Sequence, residues 1–110
     1  MRSDHERLAD ILEAIEKIER YVPRGRQAFD SDELFQVWVV RHLQIIGEAA
    51  SRVSAETQTQ FPEIPWGKMI GMRHVLVHGY FDIDLEIVWS VIENDLSPLK
   101  LQIEKAHKRQ

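Results

Sequence analysis

The sequence predicts an all-α fold, an antiparallel bundle of four to five helices, and three observations carry that prediction. Apolar residues recur every three or four positions through most of the 110 residues, the period of a single helical face. No stretch alternates apolar and polar residues as a half-buried strand would. The segments between periodic stretches are short and marked by proline or glycine, which favours antiparallel neighbours. The length points to one domain, residues 1–110, and a hydrophobic content of 44% is enough for a core without covalent staples.

The first helix is expected over Asp4 to Tyr21. Ser3 and Glu6 have the spacing of a capping box, and Leu8, Ile11, Leu12, Ile15 and Ile18 line one face. Pro23 and Gly25 end it, and a polar loop containing Arg24, Arg26 and Gln27 leads to Asp30 or Ser31 as the cap of a second helix. That helix carries two apolar stripes, one of Phe35, Val39, Ile46, Ala50 and Val53, the other of Leu34, Val37, Trp38, Ile45 and Ala49, so it is expected to be buried on more than one side. Residues 55–65, AETQTQFPEIP, read as a loop, and Pro65 suits the first turn of a third helix running to about Val77, with Gly79 placed to close it. After Asp82 or Asp84 as a cap, Leu85, Val88, Trp89, Ile92, Leu96, Leu99 and Ile103 hold their phase across Pro98, which predicts a kinked helix or two helices abutting near Asp95 to Pro98. Three tryptophans are either core or surface left for a partner.

Composition excludes several classes. The absence of cysteine removes disulfides and thiolate metal sites and fits a reducing, cytoplasmic setting. The acidic N-terminal stretch has no secretory signal character, and no window approaches the ~18 apolar residues of a membrane span. A net charge of −4 argues against a dedicated duplex-binding surface, since that affinity rests on neutralising many phosphates.

The stretch MRHVLVHGYF, residues 72–81, carries the chemistry. On a continuous helix five residues turn the chain by about 500°, so Arg73 and His78 would point roughly 140° apart. If the helix stops at Val77, the following residues can bend back and bring His78 alongside Arg73. Arginine offers a planar fork of donors for phosphate oxygens, and histidine exchanges a proton near neutrality. Cleaving RNA without a metal requires a base, an acid and positive charge for the phosphorane. One chain supplies one suitable histidine, so a twofold homodimer that joins two third helices in one cleft would complete the set.

The pattern R-x4-H-x-Y of Arg73, His78 and Tyr80, set in IPWGKMIGMRHVLVHGYFDID and accompanied by QIIGEAA in the second helix, resembles the HEPN superfamily, specifically its HepT-like toxins. The resemblance covers the chain from the second helix onward. It implies an all-helical, HEPN-like homodimer and a metal-independent endoribonuclease with Arg73 and His78 as catalytic residues and RNA as substrate. It also implies a toxin of a toxin–antitoxin pair, with a minimal nucleotidyltransferase antitoxin that silences it by transferring AMP to Tyr80. Such an adduct would place negative charge beside Arg73 and fill the cleft. His74 stands where these proteins often carry asparagine.

Other residues admit a bland and a functional reading. His74 and His78, four apart, have the spacing of a zinc pair, yet no third ligand is evident, so neither a metal nor a cofactor is expected. Arg41, Gln44, Glu48 and Arg52 form a polar stripe on the second helix. Glu48 is assigned a supporting role toward Arg73 or His78, and Arg52 an ordinary exposed ion pair. Gly67 and Gly71 are assigned to close helix packing. Arg20, Arg24 and Arg26, with Lys100, Lys105, Lys108 and Arg109, are either a guide for RNA or plain solvated faces. The alternative to the nuclease is a non-catalytic nucleotide-binding or regulatory module that partners a nucleotidyltransferase.

Overall fold

The structure, a computed structural model, describes residues 2–75, 77–78 and 82–109, with side chains for 2–72 and 83–109. Helix α1 spans Asp4–Glu19, α2 Gly25–Ser31, α3 Glu33–Arg52, α4 Ala55–Gln60, α5 Trp66–Val75, α6 Leu85–Ser90 and α7 Leu96–Lys108. Four long rods, α1, α3, α5 and the joined α6–α7, build the bundle. Between α5 and α6 lie two strands of two residues each, β1 Val77–His78 and β2 Asp82–Ile83, paired antiparallel with Val77 opposite Ile83 and His78 opposite Asp82. Among the described residues this minimal ladder is the one exception to an otherwise helical order, and a stretch so short carries no alternation to read.

The capping box at Ser3 is present in full: the Glu6 backbone N–H donates to Ser3 Oγ at 3.1 Å and the Ser3 N–H to Glu6 Oε1 at 2.9 Å. The cap of α3 is Asp32, one residue past the expected pair, because its carboxylate reaches the N–H groups of Leu34 and Phe35. Two expected loops contain short helices. A 3-10 turn over Val22–Arg24 leads into α2, where fully buried Phe29 supplies the anchor that a polar stretch otherwise lacks. Gly25, between the turn and α2, has φ +87°, a left-handed value that glycine adopts without strain.

In the second of these loops, Ser54 caps α4 by accepting from the Thr57 N–H, and both residues are tied to the start of α1. Asp4 accepts from the Ser54 N–H at 3.0 Å and from the Ser54 and Thr57 hydroxyls at 2.6 Å each. Burial pushes the Asp4 carboxyl up, but these hydrogen bonds outweigh it and hold its pKa below the ordinary value of 3.8. The carboxylate's contribution is therefore complete above the unfolded value and is lost as pH falls through the lower folded one. Asp4→Ala is expected to lower stability by about 1–3 kcal/mol at neutral pH. Urea unfolding should show that difference shrinking as pH drops below about 4.

Helices α1 and α3 run antiparallel, pinned at one end by the Asp4–Ser54 bonds and at the other by the Trp38 indole N–H donating to the Lys17 carbonyl at 3.0 Å. Helix α7 returns along α1: Lys100 pairs with Glu19 at 2.8 Å, and the rings of His5 and His107 stack 4.0 Å apart. The core is one cluster in which Leu8, Ile11, Ile15 and Ile18 of α1 meet Val39, Leu43 and Ile46 of α3, Met69 of α5, and Leu99 and Ile103 of α7. Trp66 and Trp89 are buried, and each of the three tryptophan N–H groups has a protein acceptor, so these rings serve the core. The second apolar stripe of α3 is only partly covered, with Leu34 81% and Val37 51% exposed.

The expected break near Pro98 is absorbed instead by a π turn, Val91–Asp95, in which the Leu96 N–H reaches back five residues to the Val91 carbonyl. The wider turn relieves the crowding that a proline ring imposes on the carbonyl four residues earlier, and the helical residues run unbroken from Leu85 to Lys108. Within the subunit, Gly67 and Gly71 do not provide the close helix packing assigned to them. An added Cβ at either would meet nothing within 4 Å among the described residues. No helix among these residues is long and apolar enough to cross a membrane.

Candidate active site

Helix α5 starts after Pro65, whose carbonyl accepts from the Met69 N–H, and it is held to the bundle by buried Trp66, Met69 and Met72. Its described residues end at Val75, with Arg73 and His74 near that end, and Val77, the expected last residue of the helix, is already in β1. The backbone then becomes extended, and His78 lies in β1 opposite Asp82. Arg73 and His78 are thus on different elements, a helix and a strand, so they are not held at the fixed angle of one continuous helix. His74 and His78 do not share a helical face, so the i,i+4 geometry of a zinc pair is lost. The side chains of Arg73, His74 and His78, and Tyr80 and Gly79 entirely, lie outside the described residues. The Asp84 side chain accepts from the Ile87 N–H at 3.1 Å and caps α6, which fixes where the chain leaves the ladder.

Glu48 sits on α3 at the wall of an open groove between α1 and α3, and its Oε1 accepts from Arg52 Nε at 2.8 Å. Arg52 has the exposed i,i+4 ion pair expected of it. Arg41 and Gln44 line the same groove, so most of the polar stripe on α3 faces one concavity.

Two residues in that groove carry no sequence motif. His42, only 5% exposed, directs Nδ1 at the Trp38 carbonyl 2.7 Å away, and its ring lies 4.3 Å from the Trp38 ring. A carbonyl can only accept, so in this contact Nδ1 carries a proton and donates. Arg7, on α1, has its Nε buried without a hydrogen-bond partner among the described residues. The four-residue spacing of Trp38 and His42 was legible in the sequence, but the groove that gives His42 meaning depends on how α1 docks.

The basic cluster after α1 is internally matched. Arg24 lies 3.6 Å from Asp32 and over the Phe35 ring at 5.5 Å, while Arg26 pairs with Asp30 at 3.1 Å and Glu86 at 2.6 Å. Lys100 is likewise paired with Glu19. These three are committed to the fold and are poor guides for a phosphate chain. No group of three or more potential metal ligands occurs among the described residues.

The order of helices, with an R-x4-H pattern straddling the end of α5, defines an all-α, HEPN-like bundle. Residues 11–106 match the family described as Ribonuclease HepT-like, and the chain belongs to that family. A protein of Thermococcus cleftensis named "Probable ribonuclease HepT" is 39% identical over 108 residues, 97% of this chain and 98% of its own length. A protein of Methanocaldococcus jannaschii, named provisionally as an RNase, is 32% identical over 98 residues, 88% of this chain and 90% of its own. One from Caldanaerobacter subterraneus subsp. tengcongensis, similarly named, is 31% identical over 106 residues, 96% of this chain and 95% of its own. No solved structure matches.

Proposed function

We propose that this chain is a metal-independent endoribonuclease that acts as a homodimer, with Arg73 and His78 of both subunits in one cleft. The observation that carries the reading is the change from helix α5 to strand β1 within the motif, between its arginine and its histidine. Family membership and the RNase names of the relatives support it.

In the reaction, Arg73 binds the non-bridging phosphate oxygens and offsets the charge that grows on them. One His78, neutral, takes the proton from the ribose 2′-hydroxyl as its oxygen bonds to phosphorus. The second His78, protonated, gives its proton to the 5′-oxygen as the P–O5′ bond breaks. The products are a 2′,3′-cyclic phosphate and a 5′-hydroxyl end, and solvent resets the two imidazoles. His74 and Glu48 support the site from α5 and α3, and Tyr80 positions substrate.

The open space beside Gly67 and Gly71 on α5 leaves room for a second copy to approach, and exposed Leu34 and Val37 offer it apolar contact. In the cell, a cytoplasmic toxin of this kind is silenced by a nucleotidyltransferase antitoxin that transfers AMP to Tyr80.

Purified protein incubated with labelled RNA in EDTA tests the reading. Cleavage to cyclic-phosphate ends is expected. An unmodified, well-folded dimer that leaves the RNA intact would favour a non-catalytic module instead. Incubation with the partner transferase and ATP should add one adenylyl group to the wild type and none to Tyr80→Phe, as intact mass would report.

A further inference from the structure

The groove between α1 and α3 has a volume of about 650 Å3 and, among the described residues, is lined by side chains of those two helices. Its carboxylates are already neutralised within the chain. Asp10 takes two bonds from Arg2, at 2.6 and 2.9 Å, Glu13 pairs with Lys17 at 3.0 Å, and Glu48 pairs with Arg52 at 2.8 Å. Two guanidiniums are left over. Arg41 is exposed and forms no ion pair among the described residues, and Arg7 forms none either. The nearby acids Asp4 and Glu6 feel the charge of Arg7, but their hydrogen bonds go to other groups, Asp4 to Ser54 and Thr57 and Glu6 to the Ser3 N–H.

A buried donor without an acceptor is costly, and a bound anion is the simplest partner for the group that carries it. On a chain of net charge −4 these two arginines form a local positive site rather than part of a basic surface. Their spacing follows from the helix register. Lys17 and Trp38 lie level, Arg7 is ten residues from Lys17 and Arg41 three from Trp38, so a rise of 1.5 Å per residue separates them by roughly 10 Å along the groove. Interface cores between proteins are depleted of charge, so this lining favours a polyanion over a second subunit.

We infer that this groove is a second contact for single-stranded RNA, with Arg7 and Arg41 each holding a phosphate of the strand other than the scissile one. The inference rests on the ribonuclease reading for the identity of the strand, and it is tested by binding rather than by cleavage. A fluorescent 2′-O-methyl oligonucleotide, which cannot be cut by 2′-hydroxyl attack, is titrated with wild type, Arg7→Gln/Arg41→Gln, Arg41→Gln alone and a Lys105→Gln/Lys108→Gln control across a salt series.

The double variant should bind about tenfold more weakly. Its slope of log affinity against log salt should be smaller in magnitude by about 1.4, since each single-strand phosphate contact contributes about 0.7. Arg41→Gln, at an exposed position where folding is unaffected, should show about half that change in slope, and the lysine control none. Unchanged affinity and slope in a folded Arg41→Gln would overturn the inference. So would an equal loss in the lysine control, or a loss that disappears when the protein is concentrated enough to restore a dimer. Wild type that binds through the arginines yet cleaves no RNA would sink the nuclease and leave the groove standing. Cleavage with no arginine-dependent binding would do the reverse.

Discussion

His78→Ala should reduce RNA cleavage by about 10²–10⁴-fold while leaving the melting temperature close to that of the wild type. The residue lies in a two-residue ladder between α5 and α6, and the large apolar cluster of α1, α3, α5 and α7 is left unchanged by the substitution. With one imidazole acting as base and the other as acid, the rate of the wild type should rise and then fall with pH, and in His78→Ala both limbs should disappear together. Arg73→Ala should cost about 10²–10³-fold through lost stabilisation of the phosphorane, and lysine at that position should recover only part of it, since an ammonium lacks the planar fork. Initial rates in EDTA across pH 5–9 would measure all of these. A His78→Ala enzyme that retains wild-type activity removes the proton-transfer scheme altogether.

Gly71→Leu is expected to produce a stable, monomeric and inactive protein. An added Cβ at Gly71 would meet nothing within 4 Å among the described residues, and replacing glycine inside a helix removes up to ~1 kcal/mol of unfavourable propensity. A second subunit that needs to approach α5 closely would instead collide with the new side chain. Sedimentation should show a monomer at concentrations where the wild type is a dimer, and cleavage should fall as far as in His78→Ala. If Gly71→Leu remains dimeric and active, subunits meet elsewhere and the glycines only mark an open helix face.

Where local chemistry sets an element, the sequence was enough to place it. Ser3 and Glu6 start α1 at the expected residue, and the phase of Leu85 through Ile103 continues through the joined α6–α7 rod. The short helices α2 and α4 were illegible because isolated segments of six or seven residues are unstable on propensity alone. What holds them is the burial of Phe29 and the reach of Asp4 to Ser54 and Thr57 across half the chain. The π turn before Pro98 resolves a conflict that the sequence shows, but by a route that depends on backbone register. For the site, the motif around Arg73 and His78 could be read from spacing, including the need for the helix to stop. The groove could not, because Arg7 and Arg41 are separated by two intervening elements and become neighbours only once α1 lies along α3. The arginines that looked most available, Arg24 and Arg26, turned out to be matched by acids, one of them 60 residues away.

The claim on which the mechanism rests is that two subunits build one reaction centre, and subunit mixing tests it most directly. Wild type exchanged with a growing excess of His78→Ala subunits would contain heterodimers with a single imidazole in the cleft. If both histidines act in one centre, activity should follow the square of the wild-type fraction, with about a quarter remaining at an equal mixture. A linear decline, with half the activity at that point, would show that each subunit cleaves RNA on its own.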